Sequence, residues 1–190
     1  MSLSRTITDL VILALIVVPS YIVYHYYIMP DTTTEIHCEE GKFNITFPDQ
    51  VKENESLVTD PNSPYASGVY SCEKYGIEFG IYWSTYPSEE EAANSLSIVQ
   101  MAVFGGTLDG THNQILDYHG HQVFQDVSGG LIGKSYSREL AIGNRKYILT
   151  ASTKNETPLA KEIIHDFFDS FEVTDIEQHP PKQIMKVKVH

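Results

Sequence analysis

An unbroken apolar run near the amino end is the strongest hydrophobic pattern in the chain. The twenty residues from Leu10 to Met29 contain no charged side chain, and only His25 titrates near neutral pH. A helix needs about 20 apolar residues to cross a bilayer, so the run predicts a membrane-spanning signal-anchor helix. Two alternatives stay open: a secretory signal that is cleaved near Ser20, after the helix-breaking Pro19, and a buried core helix.

The charges that flank this run predict its orientation. Arg5 and the terminal amine precede it, whereas Asp31 and Glu35 follow it. The positive-inside bias then predicts an N-terminus in the cytoplasm and a C-terminal domain outside, on the periplasmic or extracellular side. The expected segments are a short cytoplasmic N-terminus at 1–9, the anchor at 10–29, a linker at 30–40, a domain at 41–175 and a C-terminal tail at 176–190.

Beyond the linker, apolar and polar residues alternate in several short segments. In KFNITF, the side chains of Phe43, Ile45 and Phe47 share one face, and Pro48 ends the segment. A period of two is typical of half-buried strands. Further strands are expected in the segment Tyr65 to Tyr75, in IEFGIYW, in RKYILTAS, at 113–119, 121–127 and 131–142, and in the short FEV.

Two segments change to the helical period. Ser88 and Glu91 form a capping box, and an apolar stripe at helical spacing follows it up to Gly105-Gly106. Thr157 and Pro158 mark a second helix start. The stripes are Ala92, Leu96, Val99 and Val103 in the first helix and Ala160, Ile163, Ile164, Phe167 and Phe171 in the second. We therefore predict an α+β domain, an antiparallel β-sheet flanked by two main helices and preceded by one N-terminal transmembrane helix.

The net charge of the chain argues against nucleic acids and anionic lipids as binding partners. The formal net charge is −12, and nucleic acids and anionic lipids attract clusters of Lys and Arg instead. We therefore expect no nucleic-acid partner, although the tail after His179 carries Lys182, Lys186 and Lys188 without an acid.

The chain has two cysteines, Cys38 and Cys72. In an oxidising compartment an even number of cysteines favours a disulfide, so this pair is the disulfide candidate. Two unrelated thiols are the alternative. Three N-x-[ST] sequons, at Asn44, Asn54 and Asn155, matter only in a eukaryotic secretory pathway.

Four motifs together resemble a known family. They are GKFNITFP at the start of the domain, GIEFGIYWSTYP before the acidic helix start, AIGNRKYILTAS, and the terminal FFDSFEV. In this order they resemble PsbP-like domains, a fold shared by the PsbP subunits of photosystem II, a Ran-release factor and many exported bacterial proteins. The resemblance covers roughly Gly41 to Val173 and implies a non-catalytic binding or assembly module. It carries over no functional residue.

Two motifs suggest chemistry. Asp117, His119 and His121 alternate along DYHGH, and their oxygen and nitrogen atoms suit zinc or copper. Gly120 interrupts the trio, and a hairpin there would separate the three side chains. The segment Gly129 to Ser135, GGLIGKS, approaches a phosphate-binding loop, but Ser128 stands where the first glycine is required. A glycine-rich hairpin explains it better, and we expect no nucleotide.

These observations favour a binding protein over an enzyme. The sequence has no G-x-S-x-G elbow or other local catalytic signature, so we predict a membrane-anchored extracytoplasmic binding or assembly module without a cofactor. Its expected partners are the membrane, through the N-terminal helix, and another protein, through an aromatic surface of Tyr82, Trp83 and Tyr86. The alternative is an exported metal-binding protein or hydrolase that uses Asp117, His119 and His121.

Overall fold

A computed structural model describes residues 17–19, 32–53, 66–97, 113–130 and 133–179. The chain divides into two compact units, Met1–Thr32 and Thr33–His190, and every strand named here belongs to the second. The strands are β1 (Thr34–Cys38), β2 (Phe43–Phe47), β3 (Lys52–Glu53), β4 (Ser67–Lys74), β5 (Ile77–Thr85), β6 (Asn113–Tyr118), β7 (His121–Gly130), β8 (Gly133–Ile142), β9 (Arg145–Thr153) and β10 (Glu172–Val173). The helices are α1 (Glu89–Asn94), α2 (Pro158–Asp169) and a 3-10 turn, Ile176–Gln178.

The strands form two antiparallel sheets. The small sheet has the order β1-β2-β10, and the large sheet has the order β3-β4-β5-β9-β8-β7-β6. Most neighbours in the large sheet are joined by tight turns, as at Tyr75-Gly76 and Gly143-Asn144. Tyr75, Gly76 and Gly143 have positive φ, which matches the twist of the hairpin.

The alternation of side chains along the central strands gives the large sheet two distinct faces. On β5, Ile77, Phe79 and Ile81 are buried, whereas Glu78 between them is exposed. The register places Ile81 opposite Leu149 of β9, which is also buried. We call the face with these apolar residues the inward face and the opposite one the outward face. Burial of each such side chain stabilises the fold by about 1.5–3 kcal/mol.

The inward face packs against the small sheet and α2 in one continuous core. The Phe167 ring of α2 lies 5.2 Å from the Phe47 ring of β2 and 5.1 Å from the Phe79 ring of β5. The buried Tyr147 hydroxyl donates a 2.7 Å hydrogen bond to the Gly41 carbonyl. Aromatic rings from three layers thus meet at the centre of the domain.

Local capping fixes the position of α2. The Thr157 hydroxyl accepts a hydrogen bond from the Ala160 amide at 3.1 Å, and Pro158 occupies the first turn, as the sequence predicts. At the other end, Ser170 bonds the backbone of Thr46 on β2. These caps hold the helix against the small sheet.

The predicted fold class is wrong. The described residues are mostly β, in two antiparallel sheets, and not one sheet flanked by two main helices. The Ser88 cap forms, but α1 ends at Asn94 after six residues, and Val99 and Val103 lie outside the described residues. Residues 34–38, assigned to the linker, form β1. As an edge strand, β1 needs only alternate apolar residues, here Ile36 and Cys38.

Among the described residues, no helix has the length and apolar character that a bilayer crossing requires. The predicted anchor at 10–29 lies outside the described residues except for residues 17–19. The tail at 180–190 lies outside them as well.

Candidate functional site

The outward face of the large sheet has two halves of different character. Helix α1 packs over β8 and β9 on one half, where Ala92 and Leu96 bury themselves against Ala141. The other half lies at the end of the sheet that holds the β4–β5 and β7–β8 turns, and it forms an open groove. We call these the covered half and the hydroxyl groove.

The covered half contains a buried ion pair. The Lys146 ammonium lies 3.3 Å from the Glu139 carboxylate, and both residues are more than nine-tenths buried. The Ser97 amide and hydroxyl donate to Glu139 at 3.0 and 2.7 Å, and Lys146 donates to the Ser95 carbonyl at 2.8 Å. Each charge is therefore hydrogen-bonded as well as paired, which a buried charge requires.

The hydroxyl groove has a volume of about 740 Å³, within the range of small-molecule sites. Its floor is a row of polar residues that crosses five neighbouring strands in register. Strand spacing of about 4.8 Å makes this row about 19 Å long. The row consists of Glu73 on β4, Glu78 on β5, Ser152 on β9, Ser135 on β8 and Ser128 on β7.

The charges and hydroxyls of this row are available to a ligand. Glu73 and Glu78 are both exposed and lie directly opposite each other, an arrangement of like charges that destabilises a sheet by itself. The Ser135 and Ser152 hydroxyls are 3.2 Å apart. Each hydroxyl can donate one hydrogen bond and accept others. The floor therefore offers carboxylates that accept hydrogen bonds at one end and hydroxyls that both donate and accept them along the rest.

A second polar row follows on the outward face, next to the first. It again contains small hydroxyl residues and one carboxylate: Ser71, Gly80, Thr150, Ser137, Asp126 and Asn113, in order across six strands. The Asn113 side-chain oxygen is buried and has no hydrogen-bond partner among the described residues. The polar character thus extends from the groove toward the middle of the sheet.

Two lysines, Lys134 and Lys154, also line the groove. Lys134 is held by Glu156, whose carboxylate lies 2.7 Å from the ammonium and also accepts from the Tyr136 hydroxyl. The hydrogen bond from Lys134, followed by the one from Tyr136, lowers the pKa of Glu156 to about 2. Burial, reinforced by the Glu156 charge, raises the pKa of Tyr136 to about 12. One rim cation is thus fixed by an internal partner.

The motif that approached a phosphate-binding loop lies in this groove as a hairpin. Gly130 pairs with Gly133 across a two-residue connection, and Gly129 and Gly133 both line the groove. A side chain on Gly129 would lie 2.8 Å from the Gly133 carbonyl, so the close approach of the two strands requires glycine. A strand follows the motif, so the helix N-terminus that would face a phosphate is missing here.

The hairpin of β6 and β7 separates the three candidate metal ligands. His119 and Gly120 form its turn with positive φ, and the Asp117 carboxylate accepts a hydrogen bond from the Gly120 amide. Asp117 and His119 are exposed, whereas His121 is buried on the inward face beside Tyr118. No group of three His, Cys, Asp or Glu side chains in the described part of the chain is arranged to hold a metal ion.

His121 belongs instead to a cluster at the opposite end of the large sheet. Burial lowers its pKa, and a hydrogen bond to the backbone of His179 opposes that shift. The His179 ring lies against Gly143, 3.5 Å from the Glu89 carboxylate and 3.7 Å from that of Asp175. Asp175 also receives two hydrogen bonds from Arg145, at 3.1 and 2.9 Å. These contacts tie the segment that follows β10 to the sheet.

The two cysteines are free thiols in this structure, and the candidate disulfide is not formed. Cys38 lies on β1 of the small sheet and Cys72 on β4 of the large sheet, both buried in the core. Burial raises the pKa of Cys72 to about 11. The raised pKa keeps this thiol protonated at neutral pH, and a protonated thiol reacts poorly because the thiolate is the nucleophile.

The three aromatic residues proposed as an interaction surface do not form one patch. Trp83 is 2% exposed and lies in the core, where its indole nitrogen packs against Gly68. Tyr82 points to the outward face, and Tyr86 packs against the cluster under α1. Alternation along β5 explains the separation, because neighbours in a strand face opposite sides.

Sequence reading missed the groove residues Glu73, Glu78 and Ser152. Each is ordinary on its own strand, and only the register between strands brings them into one row. The sequence signal is limited to hydroxyl residues at alternate positions of two strands, Ser135 and Ser137 on β8 and Thr150 and Ser152 on β9.

The chain matches no protein-family model and no curated protein. Among solved structures, it is similar to a crystal structure of a protein from Bacteroides thetaiotaomicron VPI-5482, with a TM-score of 0.45 and 10% sequence identity. The similarity covers 76% of this chain and 49% of that chain, so this chain spans about half the length of the Bacteroides protein.

Proposed function

We propose that this protein is a non-catalytic binding module and that the hydroxyl groove is its ligand site. The observation that supports this function is the row from Glu73 to Ser128, which concentrates hydrogen-bonding side chains on an open sheet face. Natural sheets avoid placing like charges directly opposite each other. A ligand that donates hydrogen bonds to both Glu73 and Glu78 would offset the repulsion between their carboxylates, and binding such a ligand would be the role of the facing pair.

The groove favours binding over catalysis. Catalytic sites combine a nucleophile or base with a partner that shifts its pKa. Among the groove residues that the structure describes, the two exposed glutamates and the serines show no such pairing with a histidine or cysteine. The rim lysine that is tightly paired, Lys134, is bound to Glu156 and so is not poised as a base.

The proposed module acts at a membrane and outside the cytoplasm. This part rests on the sequence alone: the apolar run at 10–29 and the acidic residues that follow it. Alkaline carbonate extraction tests it, and we expect the full-length chain to stay in the membrane pellet. Release of the intact chain into the supernatant would contradict the anchor. The resemblance to PsbP-like domains stays a prediction.

The test of the binding function is a ligand screen on the full-length chain in detergent. Thermal unfolding is followed by circular dichroism with neutral oligosaccharides, short peptides, free amino acids and nucleotides. A ligand that binds the native state raises the melting temperature. We expect one class to do so, and mass spectrometry should recover that ligand chemically unchanged.

A groove-filling substitution locates the binding. Ser152→Trp places an indole at the centre of the row and should abolish the ligand-induced rise, whereas Glu172→Trp, on an exposed position of the small sheet, should retain it. If the protein converts the ligand to a product, it is an enzyme and the proposed non-catalytic function is wrong. A rise that survives Ser152→Trp would place the site elsewhere.

A further inference from the structure

We infer that the ligand of the hydroxyl groove is a neutral carbohydrate, a short oligosaccharide that lies across the strands. This inference rests on the proposed function and adds the chemical class of the ligand. Its evidence is the composition of the groove, the pairing of the strands beneath it and the charge of its lining.

The hydrogen-bonding groups of the groove match those of a sugar. Each sugar hydroxyl both donates and accepts, so it can donate to Glu73 or Glu78, accept from Lys154, and exchange both roles with Ser128, Ser135 and Ser152. Hydrogen bonds to ionised groups are about twice as strong as those between neutral groups. The carboxylate end of the row should therefore dominate affinity.

The lining charges disfavour an anionic ligand. Among the described residues, the charged ones that line the groove are Glu73, Glu78, Lys134 and Lys154. Because Lys134 is paired with Glu156, a ligand meets two carboxylates and the ammonium of Lys154. A phosphate or nucleic-acid ligand would require an excess of cations, whereas a neutral ligand can donate to the carboxylates and accept from Lys154.

The backbone beneath the groove disfavours a peptide. Extended peptides bind sheets by adding a strand to an open edge, where backbone groups are free, and they use pockets for apolar side chains. Strands β5, β9 and β8 are paired on both sides. Within the described part of the lining, no residue carries a large apolar side chain. A ligand on this face therefore meets the hydroxyls and carboxylates of the row together with the aliphatic parts of these side chains.

The groove is open where a chain of sugars would leave it. Gly76, in the β4–β5 turn, lines the groove, and a side chain added there would meet no atom within 4 Å. At the other end, Ser128 and Gly129 are exposed. An oligosaccharide that follows the row of about 19 Å can extend past both ends, so the site suits an internal stretch of a glycan.

Isothermal titration calorimetry of the full-length chain in detergent tests this inference. The probes are cellotetraose, maltotetraose and the tetramer of N-acetylglucosamine, with tetraserine as a peptide probe. We expect at least one sugar to bind. Glu78→Gln should weaken that binding about tenfold, because it replaces a charge-assisted hydrogen bond by a neutral one without changing the size of the side chain.

Matched variants separate local from general effects. The double variant Ser135→Ala and Ser152→Ala should weaken sugar binding several-fold, whereas Glu172→Gln, an exposed strand glutamate of the small sheet, should leave it unchanged. Thermal unfolding of each variant confirms that the fold persists. Sugar binding that is insensitive to Glu78→Gln and to the serine variant overturns the assignment of the groove.

The outcomes distinguish the two proposals. If tetraserine or free amino acids bind in a Glu78-dependent way and no sugar does, the carbohydrate is wrong and the binding module stands. If no class of probe binds to the groove, both proposals fail. Binding of sugars that Glu78→Gln weakens supports both.

Discussion

Charged residues on the outward face of the large sheet lie in two environments. In the covered half, Glu139 and Lys146 are buried beneath α1, paired with each other and hydrogen-bonded to Ser95 and Ser97. In the hydroxyl groove, Glu73 and Glu78 face each other in the open. The same sheet face thus satisfies one set of charges internally and leaves the other set available to solvent or a ligand.

The difference separates stability from binding. A buried charge is tolerated only when its partners are in place, so the covered half must remain closed. Exposed carboxylates cost little in water, so the groove can keep unpaired acceptors at small expense to the fold. Substitutions in the two halves should therefore differ in size and in sign.

The largest expected effect comes from Glu139→Ala. This change leaves the Lys146 ammonium buried without its carboxylate, which should lower the free energy of unfolding by about 3–5 kcal/mol. Urea unfolding of the detergent-solubilised chain measures it. Adding Lys146→Met should restore part of the loss, because the unpaired charge is then gone. A loss below about 1 kcal/mol, the scale of exposed ion pairs, would show that the covered half is open to water.

The next effect tests whether α1 closes the covered half. Ser88 caps α1 by accepting a hydrogen bond from the Glu91 amide at 3.2 Å. Ser88→Ala should lower the free energy of unfolding by about 1 kcal/mol and speed amide hydrogen exchange at Ser97. Ser88→Asp, which keeps the cap, is the control. Unchanged exchange at Ser97 would mean that the Glu139 contact, and not the helix cap, holds this segment.

Much of the fold could be predicted from local pattern. Strand β5 alternates cleanly because one of its faces is buried, and α2 carries both a cap and an apolar stripe. The Thr157-Pro158 start and the Gly143-Asn144 turn are likewise local, and they occur where the sequence indicates. Such features need only neighbouring residues, so one sequence is sufficient to predict them.

The errors have different physical causes. Strand β1 resembles a polar linker because it forms only by pairing with β2, a distant partner. The assignment of Trp83 to a surface is wrong although the alternation along β5 places this residue on the same face as Ile77 and Phe79, so the local pattern alone indicates its burial. The apolar stripe after Ser88 predicts a longer helix, but α1 ends at Asn94.

The candidate site could not be predicted because, like β1, it depends on distant partners. The row from Glu73 to Ser128 exists only through the register of five strands. No short motif encodes register, because a slip of one residue would move every side chain to the other face. The DYHGH motif was more conspicuous in the sequence, yet its hairpin geometry disperses its side chains.

A smaller effect, of opposite sign, is expected in the groove. Glu78→Gln removes the repulsion from Glu73 and should raise the free energy of unfolding by about 0.2–1 kcal/mol. The gain should shrink in 1 M salt because exposed charges are screened there. Glu172→Gln, which lacks a facing glutamate, should show no gain in urea unfolding. A destabilised Glu78→Gln would mean that the carboxylate already has an internal partner.

The smallest effect concerns the rim of the groove, where Lys134 and Tyr136 hold Glu156. Because the folded-state pKa of Glu156 is about 2, below its ordinary value of 4.5, the folded state favours the ionised carboxylate. Its contribution to stability is therefore fully present above about pH 4.5 and is lost as the pH falls toward 2. Urea unfolding across this range should show that the free energy of unfolding depends less steeply on pH in Glu156→Gln than in the wild type.

Glu162→Gln, on an exposed position of α2, is the control and should keep the pH dependence of the wild type. If Glu156→Gln and the wild type lose stability in parallel, Lys134 is free to bind a ligand, and the groove carries one more available cation than its contacts indicate.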